Sequence, residues 1–157
     1  MLLQDIFTVS RIKFGLEAGD KDEVFEEIVD VLVRGYDIPN RGEILSTIHD
    51  RELKMSTGIK TGIALPHGKA AGLSGIFGAL GVSEGGIDYD ALDGEPVFLV
   101  ILLVSGMENS EMHLKILKKI ATLLENPSFF ADMRKAGSAE KAFSVLKGYE
   151  NEMEKRE

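Results

Sequence analysis

"VFLVILLV", residues Val97 to Val104, is the stretch on which the fold turns. It is apolar without interruption, rich in β-branched residues, and bounded by Pro96 and Gly106. It is far shorter than the ~20 residues that span a bilayer. Its length and branching predict a strand buried on both faces rather than a helix. Just upstream, "GGIDYDALDGEP" is turn-rich, and Asp93-Gly94 is a hairpin signal. Before it, "TGIALP" and "GIFGALGV" read as short strands with glycines where backbones approach closely. "IKFGLEA", Ile12 to Ala18, alternates as a half-buried strand would.

Helical patterns flank these strands. "DKDEVFEEIVDVLVRG" places Asp20 as the cap and Glu23 as its capping-box partner. Val24, Ile28, Val31 and Leu32 form its apolar stripe, and Gly35 is the expected stop. A second helix follows Asn40, with Ile44, Leu45 and Ile48 inward. Downstream, "SEMHLKILKKIATLLEN" carries Ile116, Leu117, Ile120, Leu123 and Leu124 on one face. Lys115, Lys118 and Lys119 are expected outside, and Asn126-Pro127 ends the helix. "SFFADMRKAG" and "SAEKAFSVLKG" predict two short helices, each closed by a glycine. Residues 150–157 read as a charged tail, frayed or partly helical. Strands in the middle with helices before and after imply a layered α/β domain, and residues 1–157 are expected to form one.

Composition narrows the function. The 157 residues carry 18 Lys and Arg against 26 Asp and Glu, a formal net charge of −8. A nucleic-acid binder needs a basic footprint, so none is expected as partner. The absence of cysteine excludes disulfides, a cysteine nucleophile and thiolate metal sites. No signal-peptide pattern opens the chain and no run is long enough for membrane insertion, so a cytoplasmic protein is expected.

Only three histidines occur, and one sits in "ALPHGKA". Pro66 fixes the backbone before His67, and Gly68 frees it afterwards. The stretch is not a P-loop: five residues separate Gly62 from Gly68, and Ala70 stands where Ser or Thr is required. Nucleophile elbow, dinucleotide fingerprint and H-E-x-x-H patterns are absent. His67, His113 and a carboxylate such as Glu111 or Glu108 have no recognised metal-ligand spacing. No metal or cofactor is expected. What remains is histidine as nucleophile, with a neutral ring nitrogen available near neutral pH. A phosphoryl acceptor needs cations and donors around it. Arg51 offers a bidentate fork, Ser56 and Thr57 offer hydroxyls, and Gly68 leaves room for approach. His113, in the first turn of a helix, can donate to a phosphate or be an ordinary helix-end residue.

The ordered segments "DRELKMSTGIKTGIALPHGK" (Asp50 to Lys69) and "EMHLKILKKIATLL" (Glu111 to Leu124) resemble one family closely. It is the enzyme IIA domain of the bacterial phosphoenolpyruvate:sugar phosphotransferase system, of the fructose, mannitol and nitrogen-regulatory type. Its R-E, S-T-G-I, G-I-A-[IL]-P-H-G and H-L elements all occur in order. The resemblance implies a mixed central β-sheet sandwiched between helical layers. It also implies that His67 is phosphorylated on Nε2 by the phosphocarrier HPr, with His113 and Arg51 in the active site. The phosphoryl group then passes to a IIB protein or serves as a signal to a regulatory target. Lys60 stands where relatives often have glycine, and the proline often found near Gly106 is missing.

Several alternatives stay open on the residues alone. Arg51 can pair at a surface, Thr57 can be a turn hydroxyl, and Lys69 can be solvated or help to dock an anionic partner. His49 reads as an ordinary helix-end histidine. Two function classes remain: a sugar-transport phosphotransferase component, and a regulatory module switched by phosphorylation of His67. With no IIB or membrane IIC segment in the sequence, the regulatory class is slightly favoured.

Overall fold

The computed structural model describes residues 1–58 and 60–156. Ile59, part of the S-T-G-I element, and Glu157 lie outside the described residues. In chain order the elements are helix α1 (Leu3–Ile6), a 3-10 turn (Val9–Arg11), strand β1 (Ile12–Phe14), helices α2 (Lys21–Tyr36) and α3 (Arg41–Lys54), and strands β2 (Ile63–Ala64), β3 (His67–Ala70), β4 (Ile76–Ile87) and β5 (Val97–Gly106). A 3-10 turn (Met107–Asn109) then leads into helices α4 (Ser110–Leu124), α5 (Pro127–Lys135) and α6 (Ala139–Lys155).

β5 is the spine of a mixed sheet. It runs antiparallel to β4 along one edge. Along the other it pairs parallel with β2 and then β3. β1 closes the far side, parallel to β4. The apolar run of β5 feeds two cores at once. Leu99, Ile101 and Leu103 pack with α1, α4, α5 and α6. Val100, Leu102 and Val104 pack with α2 and α3. A central strand covered by helices on both faces has no solvated side, which is why its sequence lacks polar alternation. The mixed sheet between helical layers is therefore the fold.

Several boundaries differ from the sequence reading. The first strand stops at Phe14. β4 is longer than expected and continues through Ile87, and its ladder to β5 shifts register between Val82 and Ile87. Asp93-Gly94 turns the chain, but inside a long connection rather than a two-residue hairpin. α2 passes through Gly35 and ends where Asp37 takes the left-handed conformation (φ 53°). Its buried stripe is Val24, Phe25, Ile28, Val29 and Leu32, with Val31 only half-buried.

The largest departure is at the C-terminus. Gly148 does not close a helix, and α6 continues to Lys155. Glu150 is fully buried there. It accepts from the Gln4 backbone N–H and side-chain amide, each at 2.9 Å, and from the Leu3 N–H. Lys119, expected outside, turns inward and lies 3.0 Å from Glu150, with Glu154 as a second partner. A buried carboxylate needs such compensation, and the free N–H groups at the start of α1 supply much of it. Burial works against its charge, but the N–H groups and Lys119 outweigh this and hold its pKa below the usual carboxylate value.

Candidate active site

The sheet delivers His67 to the first position of β3, where Pro66 has broken the edge strand after β2. Proline has no N–H, and its carbonyl still accepts from Leu103 N on β5. Gly68 lets β3 lie against α3: a Cβ there would fall 2.3 Å from the Thr47 Cγ2. That contact brings the last turns of α3 beside His67. The start of α4 completes a cavity of about 770 Å³, lined among others by Arg51, Lys54, His67, Gly68, Lys69 and His113.

His67 is half-buried, and its Nδ1 lies 2.8 Å from the Leu65 carbonyl oxygen. A carbonyl only accepts, so Nδ1 carries the proton and Nε2 keeps its lone pair. Nε2 has no partner among the described residues and opens to the cavity. Burial lowers the His67 pKa below the usual value, and Arg51 and Lys69 add to this. The Leu65 carbonyl and Glu52 work in the opposite direction. The lowered pKa favours the neutral ring at neutral pH, with a lone pair on Nε2.

His113 is 4% exposed, and its ring centroid is 5.9 Å from that of His67. Burial, with smaller contributions from His67 and Lys69, pushes its pKa down to about 4. At neutral pH it is an uncharged hydrogen-bonding group. Its Nδ1 lies 2.6 Å from Ser105 Oγ. Arg51 is fixed at the end of α3 by donating from Nη1 to the Met55 carbonyl at 2.9 Å. Positive charge in the cavity therefore comes from Arg51, Lys54 and Lys69, not from histidine, and Asp50 and Glu111 share the lining.

Of the candidate residues, the structure brings together His67, His113, Arg51 and Gly68. Ser56 and Thr57 do not line the cavity. Thr57 is buried, with its hydroxyl 2.6 Å from Glu52 Oε1 and 2.7 Å from Tyr89 Oη, while its N–H donates to Glu52 Oε2 at 2.8 Å. Ser56 Oγ accepts from the Gly58 N–H. These hydroxyls are committed to the loop after α3. Lys21 completes the cluster, 3.0 Å from Glu52. Burial opposes the Glu52 charge, but Thr57 and Lys21 together hold its pKa low.

The roles of Glu52, Tyr89 and Ser105 escaped sequence reasoning. Ser105 carried one signal: a single polar residue closing an apolar strand run. His49 lies within α3 with its ring edge-on to Phe25 at 4.9 Å, away from the cavity. No cluster of three or more His, Asp or Glu suited to a metal ion exists among the described residues, and none of their helices is long and apolar enough to cross a membrane. Gly106 donates its N–H to the Gly75 carbonyl, and a Cβ there would lie 2.3 Å from the Leu73 oxygen.

Comparison with known proteins matches residues 5–149 to the family model "Phosphoenolpyruvate-dependent sugar phosphotransferase system, EIIA 2". The chain is 32% identical over 146 residues to the fructose-specific EIIABC component of the phosphotransferase system in Bacillus subtilis, covering 93% of this chain but only 23% of that protein. It is 30% identical over 149 residues to the nitrogen regulatory protein of Pseudomonas aeruginosa, covering 95% and 97% of the two chains. The crystal structure of nitrogen regulatory protein IIA-Ntr from Neisseria meningitidis superposes with a TM-score of 0.83 at 30% identity, covering 92% of this chain and 98% of that one.

Proposed function

Because the chain belongs to the phosphoenolpyruvate-dependent sugar phosphotransferase system EIIA 2 family, and is thus a phosphotransfer component of that kind, we propose that His67 is its phosphoryl acceptor. The observation that carries this reading is the Nδ1–H bond to the Leu65 carbonyl, which leaves Nε2 unprotonated at the cavity.

The donor is the phosphohistidine of HPr. The Nε2 lone pair of His67 forms a new N–P bond as the donor's N–P bond breaks, and that electron pair returns to the donor ring. No proton need leave Nε2 first. Positive charge developing on the His67 ring is eased by the Leu65 carbonyl. Arg51 and His113 position the phosphoryl oxygens, and Lys54 and Lys69 add positive potential. Gly68 keeps the cavity floor close to α3, while Ser56 and Thr57 act on the loop behind Arg51. Exposed Leu114 lines the cavity, and exposed Leu53, Met55 and Met107 sit at the end of α3 and just before α4, an apolar character suited to transient docking.

The test is incubation with phosphoenolpyruvate, enzyme I and HPr. One acid-labile, base-stable phosphoryl group per chain is expected, and none on a folded His67→Ala variant. Full labelling of that variant would falsify the assignment.

The onward step has two readings. Transport sends the group to a IIB protein; regulation uses it to alter contacts with another protein. Likeness to nitrogen regulatory proteins favours the second. Phosphorylation places roughly one to two negative charges at the docking surface. A pull-down with phosphorylated and unphosphorylated protein separates the readings. Regulation gives phosphorylation-dependent partners outside sugar permeases; transport gives phosphoryl flow through a IIB protein to a carbohydrate.

A further inference from the structure

Ser105 is fully buried near the end of β5. Register holds it from both sides, opposite Lys69 of β3 and Ile76 of β4. Its Oγ lies 2.6 Å from Nδ1 of His113. A neutral imidazole has one N–H and one lone pair, so the position of its proton decides whether it offers a donor or an acceptor. Phosphoryl oxygens need a donor. The buried hydroxyl also has one proton to place. Among the described residues, His113 Nδ1 is its hydrogen-bond partner, and no other acceptor is within reach. Donation from Ser105 to Nδ1 satisfies both groups and leaves the ring proton on Nε2. That nitrogen has no protein partner among the described residues, and the ring lines the cavity beside His67.

We infer that Ser105 is a positioning residue: it fixes the Nε2–H tautomer and the orientation of His113, making that ring a neutral donor to the phosphoryl group on His67. The inference rests on the phosphohistidine reading of His67. It also explains how an uncharged histidine can help an anion. Burial suppresses the imidazolium form, so the donor must come from the tautomer, and tautomers are set by what the other nitrogen touches.

The first test needs no phosphoryl transfer. Long-range 1H–15N spectra of the wild-type protein, labelled at histidine, should place the His113 proton on Nε2 with Nδ1 accepting. A proton on Nδ1 overturns the inference. The second test is kinetic. Ser105→Ala should slow phosphorylation of His67 about tenfold, a fraction of what loss of a whole donor costs. In a His113→Ala background the same change should have no further effect. Equal slowing in both backgrounds, or an unchanged rate in the single variant, overturns the inference. A wild-type protein that takes no phosphoryl group on His67 sinks the phosphocarrier reading instead, while the tautomer spectrum still decides the role of Ser105.

Discussion

The rings of His67 and His113 lie 5.9 Å apart between centroids, inclined at 48°. The rings share no hydrogen bond with each other, each Nδ1 having its own partner, and both line the same cavity. Neither ring carries a charge at neutral pH, since burial lowers both pKa values. Under the proposed reading, Arg51, with Lys54 and Lys69 on the same cavity, supplies the positive charge, while His113 supplies direction.

Arg51→Ala and His113→Ala should each slow phosphoryl transfer by about 10²-fold or more, the usual cost of losing a transition-state donor. Their folds should survive. Stopped-time labelling from phospho-HPr, beside thermal melts, checks both points. A large fall in melting temperature with near-normal transfer would assign either residue to packing instead.

Stability should fall as pH drops below the ordinary histidine range. In the unfolded chain His113 titrates near 6.5, whereas in the fold its pKa is about 4. Between these values the unfolded state binds the extra proton, so unfolding becomes easier as pH falls. The contribution is of order 3 kcal/mol across the window, fully present above it. His67 acts in the same direction. Urea denaturation at about pH 7.5 and about pH 5 should show a smaller loss for His113→Gln than for wild type. Equal losses would contradict the burial argument.

Thr57→Val should destabilise the protein by about 1–3 kcal/mol, because Glu52 and Tyr89 lose a buried partner. Transfer should persist in the folded variant, since the Thr57 hydroxyl faces Glu52 rather than the cavity. Transfer abolished at unchanged stability would make Thr57 a phosphate ligand after all.

Glu150→Ala should cost about 3–5 kcal/mol, leaving Lys119 and the first N–H groups of α1 without their shared acceptor. Chemical denaturation measures this. An effect under about 0.5 kcal/mol, typical of surface changes, would mean that the segment after Gly148 is the solvated tail its charge suggests.

The sheet and its two helical layers were legible because Val97 to Val104 fits a strand covered on both sides better than a helix, and because the flanking helices carry clear apolar stripes. His67, His113 and Arg51 were singled out through ordered motifs spread over α3, β3 and α4, and the fold brings them to one cavity. Glu150 and Lys119 were not. Charge near a chain end reads as solvated, and only packing of α6 against α1 and α4 reveals their pairing. The placement of Ser56 and Thr57 off the cavity was hidden for a similar reason. Their hydroxyls have the chemistry of phosphate ligands, but the buried carboxylate of Glu52, on the same helix as Arg51, captures Thr57 first.

The most direct measurement is the site of attachment on the His67 ring. Protein labelled with 15N at histidine is phosphorylated through HPr and observed by 31P and 15N spectroscopy. The account requires phosphorus coupled to Nε2 of His67, with Nδ1 still bearing the proton it gives to the Leu65 carbonyl. Phosphorus on Nδ1, or on any residue other than His67, would contradict it.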